Sequence, residues 1–432
     1  MSRARGANAL MAIAFEPSYG IPPTSGFFGM PFVSSNLGEE QGLIESDVLG
    51  FGRMPQEPGR GEANDVGDAA VPLCARNIGL WLTALMGPPT TTPGLAATGS
   101  LAFSAQPANN STVTLAGQAF TFVTGTPTAN QIKIGATLGA TIANAVRAFN
   151  GSAVPAVTAA LFWADVNGTT IRIAHKALGT TGNSYALAAS AVAVTPSGAT
   201  LTGGAASGGY RHEWSAGALT LPSLAIEIGH PEVPSYSMNY GVKANTLGIP
   251  LQRSGNLNAT IGLIAQGELP ASAGTAAGTP TKLAVRKFSS FSGLARRDGV
   301  PFGADLVSGQ TNLTNGLDPV PTVGRGDGRV GGVDEGMVGC NVAIGLRYSS
   351  TEMQALGENG QPTELTFAWS IPSSIFSLRQ TLHAVYLPRA KRPISGPGAV
   401  QADYQCQAAQ DPVTGRVSTF VLDNDVASYA VA

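Results

Sequence analysis

Charged side chains are scarce in this sequence. They make up 12% of its 432 residues, against roughly 25% in an average soluble domain, and the formal net charge is −2. A near-neutral chain does not hold nucleic acid through a basic surface. Cysteine is rarer still. Cys74, Cys340 and Cys406 are odd in number, far apart and without a CxxC pair, which argues against a disulfide framework and against a zinc site. Long apolar runs are missing too. The longest with helical character, 78–86, falls well short of the roughly 18 residues a membrane-spanning helix needs. The N-terminal stretch has two Arg and a brief apolar run, but Glu16 and Pro17 follow at once. It reads as mature sequence, not a secretory signal, made in a reducing cytoplasm.

Signatures of catalysis are also lacking. His175, His212, His230 and His383 are scattered, and none sits in HExxH or beside a Cys at ligand spacing. No GxSxG elbow and no Walker A pattern occurs. Residues 326–331 (GDGRVG) match GxGxxG in form, but the segment follows no strong strand and opens no helix, so it reads as a surface loop. Asp327, Asp334 and Glu335 in the same region lack EF-hand spacing. No catalytic, cofactor-binding or metal-binding residue is expected, and the chain reads as no enzyme.

What fills the space is Gly (55 residues), Pro (29), Thr, Ser, Ala and Asn. Short alternating segments broken by Gly and Pro predict a mainly β protein, a sandwich or barrel. Strands are expected at 10–15, 31–37, 219–228, 236–240, 242–251, 255–266, 340–347, 364–370, 382–387, 399–408 and 417–422, with a long Gly/Asp/Asn loop at 308–336. One helix is expected at 75–86. Ile78, Trp81, Leu82 and Leu85 share a face there, predicted to be core, and Gly87-Pro88-Pro89 stop it. Residues 36–70 hold eight carboxylates, Glu39, Glu40, Glu45, Asp47, Glu57, Glu62, Asp65 and Asp68, against Arg53 and Arg60. They read as a solvated, extended loop.

Between two turn-rich seams, TTTPGLAATGS and TGGAASGGY, the composition shifts. Residues 96–210 carry only Lys133, Arg147, Asp165, Arg172 and Lys176 as charges. Inside are an alternating stretch at 111–123 turning at Gly117, a helix at 138–149, a hairpin across Asn167-Gly168, and an alternating strand at 185–195. The pattern predicts a small β-rich (α+β) domain, 96–210, inserted between two parts of one core, 1–95 and 211–432. Loop tips tolerate such insertions.

The segments ARNIGLWLTALMGPPTTT, then LPSLAIEIGHPEVPSYSMNYGVKANTLGIPLQRSGNLNATIGLIAQGE, then ELTFAWSIP and ISGPGAVQADYQCQAA resemble the major tail tube protein of long-tailed bacteriophages. The resemblance covers about 8–95 and 211–425 and is most specific over 221–268. It implies a β-sandwich with a flanking helix, and hexameric rings stacked head to tail around a channel for double-stranded DNA. It implies other tail proteins as partners (tape measure, terminator, distal tail protein), no cofactor, and a place in the virion tail. A bulky insert fits a sheathless, siphovirus-type tail, where 96–210 has room to project outward. The eight carboxylates would then serve as an inter-ring loop or line the lumen, where a non-basic wall avoids gripping phosphates. Two alternatives stay open from the residues: a distal tail or capsid decoration protein, and a carbohydrate-binding virion protein. For the latter, Trp81, Trp163, Trp214 and Trp369 are dispersed, and the insert's lone Asp165 cannot make a glycosidase carboxylate pair.

Overall fold

A 17-residue strand, Ser235–Leu251, organises the protein. It bends at Gly241, whose φ is +61°; a Cβ there would lie 2.7 Å from the Gln266 side chain, so glycine is required. Before the bend the strand pairs with Leu224–His230 and Gly267–Ser272. After it, the partners are Asn258–Ala265 and Leu306–Thr314. The sequence pattern reads this single element as two strands. The structure, a computed structural model, describes residues 3–50, 52–252, 254–302, 305–394 and 396–431. Arg253, part of the Gln252-Arg253-Ser254-Gly255 stretch, lies outside them.

From Leu306–Thr314 a large antiparallel sheet runs through Gly339–Arg347, Gln401–Ala409, Ser377–Tyr386, Ser418–Asn424 and Ala205–Ser215. In the other direction Asn258–Ala265 pairs with Gly59–Pro72, which pairs with Glu39–Ile44. Burial alternates along these strands: Ala402, Tyr404, Cys406 and Ala408 point inward and the residues between them do not, the period of two that a half-buried sheet demands. The mainly β expectation holds. Leu306–Thr314 corrects the expectation of a loop there. Its sequence, LVSGQTNLT, is weakly apolar, and pairing on both edges overrides propensity. The expected strand at 31–37 shrinks to Ser34–Ser35.

The Ile78–Met86 helix lies in this core as expected, with Ile78, Trp81, Leu82 and Leu85 buried, but all nine of its residues are buried. It is enclosed, not flanking, because the C-terminal segment closes over its free face. Tyr429 packs so tightly on Gly79 that a Cβ there would lie 2.3 Å from its ring. The Tyr429 hydroxyl donates to the Arg76 carbonyl at 2.5 Å and accepts from Asn424 Nδ2 at 2.7 Å. His212 stacks edge-on to Tyr429, centroids 4.7 Å apart, and bonds Thr91, Asn424 and Val426. It is a satisfied core histidine whose pKa burial pushes down. A further helix, Glu352–Asn359, buries only Met353, too thin a stripe to read in sequence.

Residues 97–201 build a second hydrophobic core. The helix Leu138–Asn150 is capped by Thr137, whose hydroxyl accepts from the Ala140 amide. It buries Ile142, Ala145, Val146 and Phe149. Thr112–Leu115 and Gln118–Val123 meet at Ala116-Gly117, both at positive φ, the geometry of a two-residue hairpin turn. The expected strand at 185–195 splits into Leu187–Ala189 and Val194–Pro196, which join different neighbours. The seams are not loops. Thr90–Phe103 is one strand, and Ala205–Ser215 pairs with its first half. Three β-branched threonines start it, and Gly94 and Gly208, at φ +113° and +102°, absorb a register shift. The two cores also touch away from the seams. The Ala164 amide donates to the Gly299 carbonyl at 3.1 Å, and the Arg296 guanidinium lies over the Trp163 ring.

Candidate functional site

The acidic segment is a long hairpin, which corrects the expectation of an extended loop. Glu39 lies opposite Asp65, Leu43 opposite Arg60 and Ile44 opposite Gly59. Two features of the sequence make it a strand pair. Ala63, Asp65, Ala69 and Val71 turn inward at alternate positions, and Gly67 lets the chain at Leu37 approach, since a Cβ there would sit 2.5 Å from Leu37 Cα. Asn258–Ala265 pairs with residues 65–72, so the root belongs to the main sheet. Beyond Asp65, among the described residues, the strand pairs only with Glu39–Ile44, and that strand's other edge pairs with none.

The eight carboxylates separate into two sets. Glu40, Glu45, Asp47, Glu57, Glu62 and Asp68 are exposed. Glu39 and Asp65 come together at the root. Around the tip, Leu43, Ile44, Val48, Leu49 and Met54 are exposed as well, Leu49 at 90%. Five large apolar side chains in water at the end of one arm, beside an unpaired strand edge, mark a surface made to be covered.

Arg329 fastens the root, and sequence reasoning missed it. Its Nε donates to Glu39 Oε2 at 2.5 Å and its Nη2 to Glu39 Oε1 at 3.0 Å. Nη2 also reaches the Glu268 carbonyl at 2.6 Å, and Nη1 the Tyr240 hydroxyl at 3.0 Å. The Ala63 amide donates to the Gly328 carbonyl at 3.0 Å. Gly267 makes room, since a Cβ there would meet Arg329 Nε at 2.5 Å. Residues 326–331, read as a free surface loop, are the clamp of the hairpin. The only sequence signal was a lone Arg within that Gly-rich run. Next to it Arg325 pairs with Asp327, and the guanidinium holds that carboxyl far below its usual range. Further along, Glu335 accepts from Lys243 Nζ at 2.7 Å and from the Leu221 amide at 2.9 Å, tying down the far end of the segment.

Glu39 and Glu268 are also cross-linked through backbone. Each accepts the other's amide, at 3.0 and 3.1 Å. Asp65 is different. It is 4% exposed, and neither carboxylate oxygen has a hydrogen-bond partner. Burial first, then the charges of Glu268 and Glu39, push its pKa up to about 7, with Arg329 opposing.

Among the described residues, no group of three or more His, Cys, Asp or Glu is arranged to hold a metal ion, and no helix is long and apolar enough to cross a membrane. The geometry is that of an anchored arm with an acidic, apolar end, suited to binding another surface. Compared with known proteins, residues 6–408 match the family model described as phage tail tube protein, in agreement with the resemblance read in the sequence. No curated protein matches the chain.

Proposed function

This chain belongs to the phage tail tube protein family, and we propose that it polymerises as hexameric rings stacked head to tail into a conduit for double-stranded DNA ejection. Family membership makes it a structural component of the virion tail that assembles with itself and with other tail proteins. The finer statements are ours: sixfold rings, DNA passage without specific binding, a sheathless siphovirus-type tail, synthesis in the host cytoplasm, and the tape measure, terminator and distal tail proteins as partners. We assign a structural role with no catalytic step.

The observation that carries the reading is the hairpin. A filament needs a heterologous contact, one patch meeting a different patch on the next copy, so that stacking does not close. A rigid root with an exposed apolar tip supplies one half of such a contact. We assign it the ring-to-ring role. The charge-poor chain suits a channel wall that leaves phosphates free. We further assign 96–210 as an inserted domain on the outer surface, a reading supported by its separate core.

The test is replacement of 45–58 by a short turn, which leaves the Arg329 clamp intact. Electron microscopy should show tubes from the full chain and unstacked rings or monomers from the variant. Tubes of normal length from the variant would remove the hairpin from the ring-to-ring contact.

A further inference from the structure

Asp65 is placed where a charge is hardest to hold. It lies at the last position where Gly59–Pro72 is flanked on both sides, by Glu39 across one edge and Ala265 across the other. From the Glu39–Ile44 strand it faces Glu39, and from Gly267–Ser272 it faces Glu268. From the 324–331 segment it faces Arg329, beside the Arg325–Asp327 pair. Ile264, Ala265 and Gln266 bring no charge, and Glu62 and Asp68 on its own strand are exposed. Arg329 does not serve it: four of the five N–H groups a guanidinium carries go to Glu39, to the Glu268 carbonyl and to Tyr240, and the fifth makes no hydrogen bond to Asp65. An ionised Asp65 is therefore a third negative charge, itself buried, beside the half-buried Glu39 and Glu268 with Arg329 as the one cation paired there, and it finds no hydrogen bond.

We propose that Asp65 is a proton-operated lock on the hairpin: neutral, it seats the root against the sheet, and ionised, it loosens the root and lowers the arm's readiness to engage a neighbouring copy. The link to assembly rests on the ring-to-ring role assigned above. The lock itself does not. The sign follows from linkage. The seated carboxyl holds its proton up to about pH 7, whereas an unseated one releases it near the ordinary value of about 3.9. Seating is thus strongest in acid, weakens as pH rises from about 4 to about 7, and levels off above that, by at most about tenfold per pH unit.

Hydrogen exchange on the full-length soluble chain, from about pH 5 to about pH 8 and corrected for intrinsic exchange, reads this directly. Amides at 39–44 and 59–66 should lose protection up to about pH 7 and then level off, while Ser418–Asn424 stays constant. Asp65→Asn should give protection independent of pH. Glu268→Gln, which keeps Asp65, should move the midpoint down, and it carries the test if Asp65→Asn fails to fold. A flat wild-type profile, or the same profile in Asp65→Asn, overturns the lock. Light scattering then separates the two ideas. Assembly that ignores pH while protection switches leaves the lock standing and removes the arm from assembly. Assembly that follows pH without a change in protection overturns the lock.

Discussion

Replacing Arg329 by Ala should free the acidic hairpin while leaving the rest of the protein folded. The side chain makes four donor contacts at 2.5 to 3.0 Å and lies over the Tyr240 ring. Arg329 and Glu39 are 19% and 20% exposed. Removing one partner of a fully buried pair costs about 3–5 kcal/mol, and the residual exposure reduces this to about 2–3 kcal/mol. That is a change of roughly 30- to 150-fold in an opening equilibrium. The cost falls on a few strands, since Glu39, Glu268 and Tyr240 all border the root. Hydrogen exchange should therefore quicken by that factor at 39–44 and 59–66 and stay unchanged in Ser418–Asn424. Arg329→Lys should recover less than half of the loss, because one ammonium cannot fork to Glu39 and still reach Tyr240 and the Glu268 carbonyl. An effect below about threefold (well under 1 kcal/mol), or equal acceleration in all strands, would refute the clamp.

Two further outcomes follow from the packing. Tyr429→Ala should destabilise the core by about 3–5 kcal/mol, since the ring seals the Ile78–Met86 helix, and Tyr429→Phe by about 1–2 kcal/mol through its two lost hydrogen bonds; chemical denaturation compares them, and equal effects would show that the ring contributes nothing beyond its hydroxyl. Joining Leu95 to Ala205, already cross-strand partners, through a tight turn in place of the second core should leave the first core folded, at a cost of about 1–2 kcal/mol for the uncovered Val300 and Arg296. Far-ultraviolet circular dichroism and melting would detect it, and an unfolded product would show that the two cores fold as one.

Much of the fold was legible because local signals agreed. The 340–347, 364–370 and 399–408 segments alternate cleanly, Asn167-Gly168 marks its hairpin, and the 138–149 helix carries its own cap and stripe. What escaped depends on distant partners. The seam strand from Thr90 reads as low-complexity coil until Ala205–Ser215 lies beside it. Leu306–Thr314 is a strand only because the sheet supplies both neighbours. Tyr429 sits in a terminal stretch without periodicity, and its role depends on Gly79, far back in the chain. At the candidate site, the concentration of carboxylates was visible, yet their division was not. Glu39 meets Arg329 across 290 residues, and the buried status of Asp65 follows from the same closure. A Gly-rich loop with two arginines, Arg325 and Arg329, does not show in sequence which hairpin it will hold.

The most direct test is cryo-electron microscopy of the polymer formed by the purified full-length chain, or of the tail itself if purified chains need an initiator. We expect a hollow tube of stacked hexameric rings, with the 39–72 hairpin crossing from one ring to the next and residues 96–210 projecting from the outside. Closed trimers, or single rings that never stack at high concentration, would contradict this.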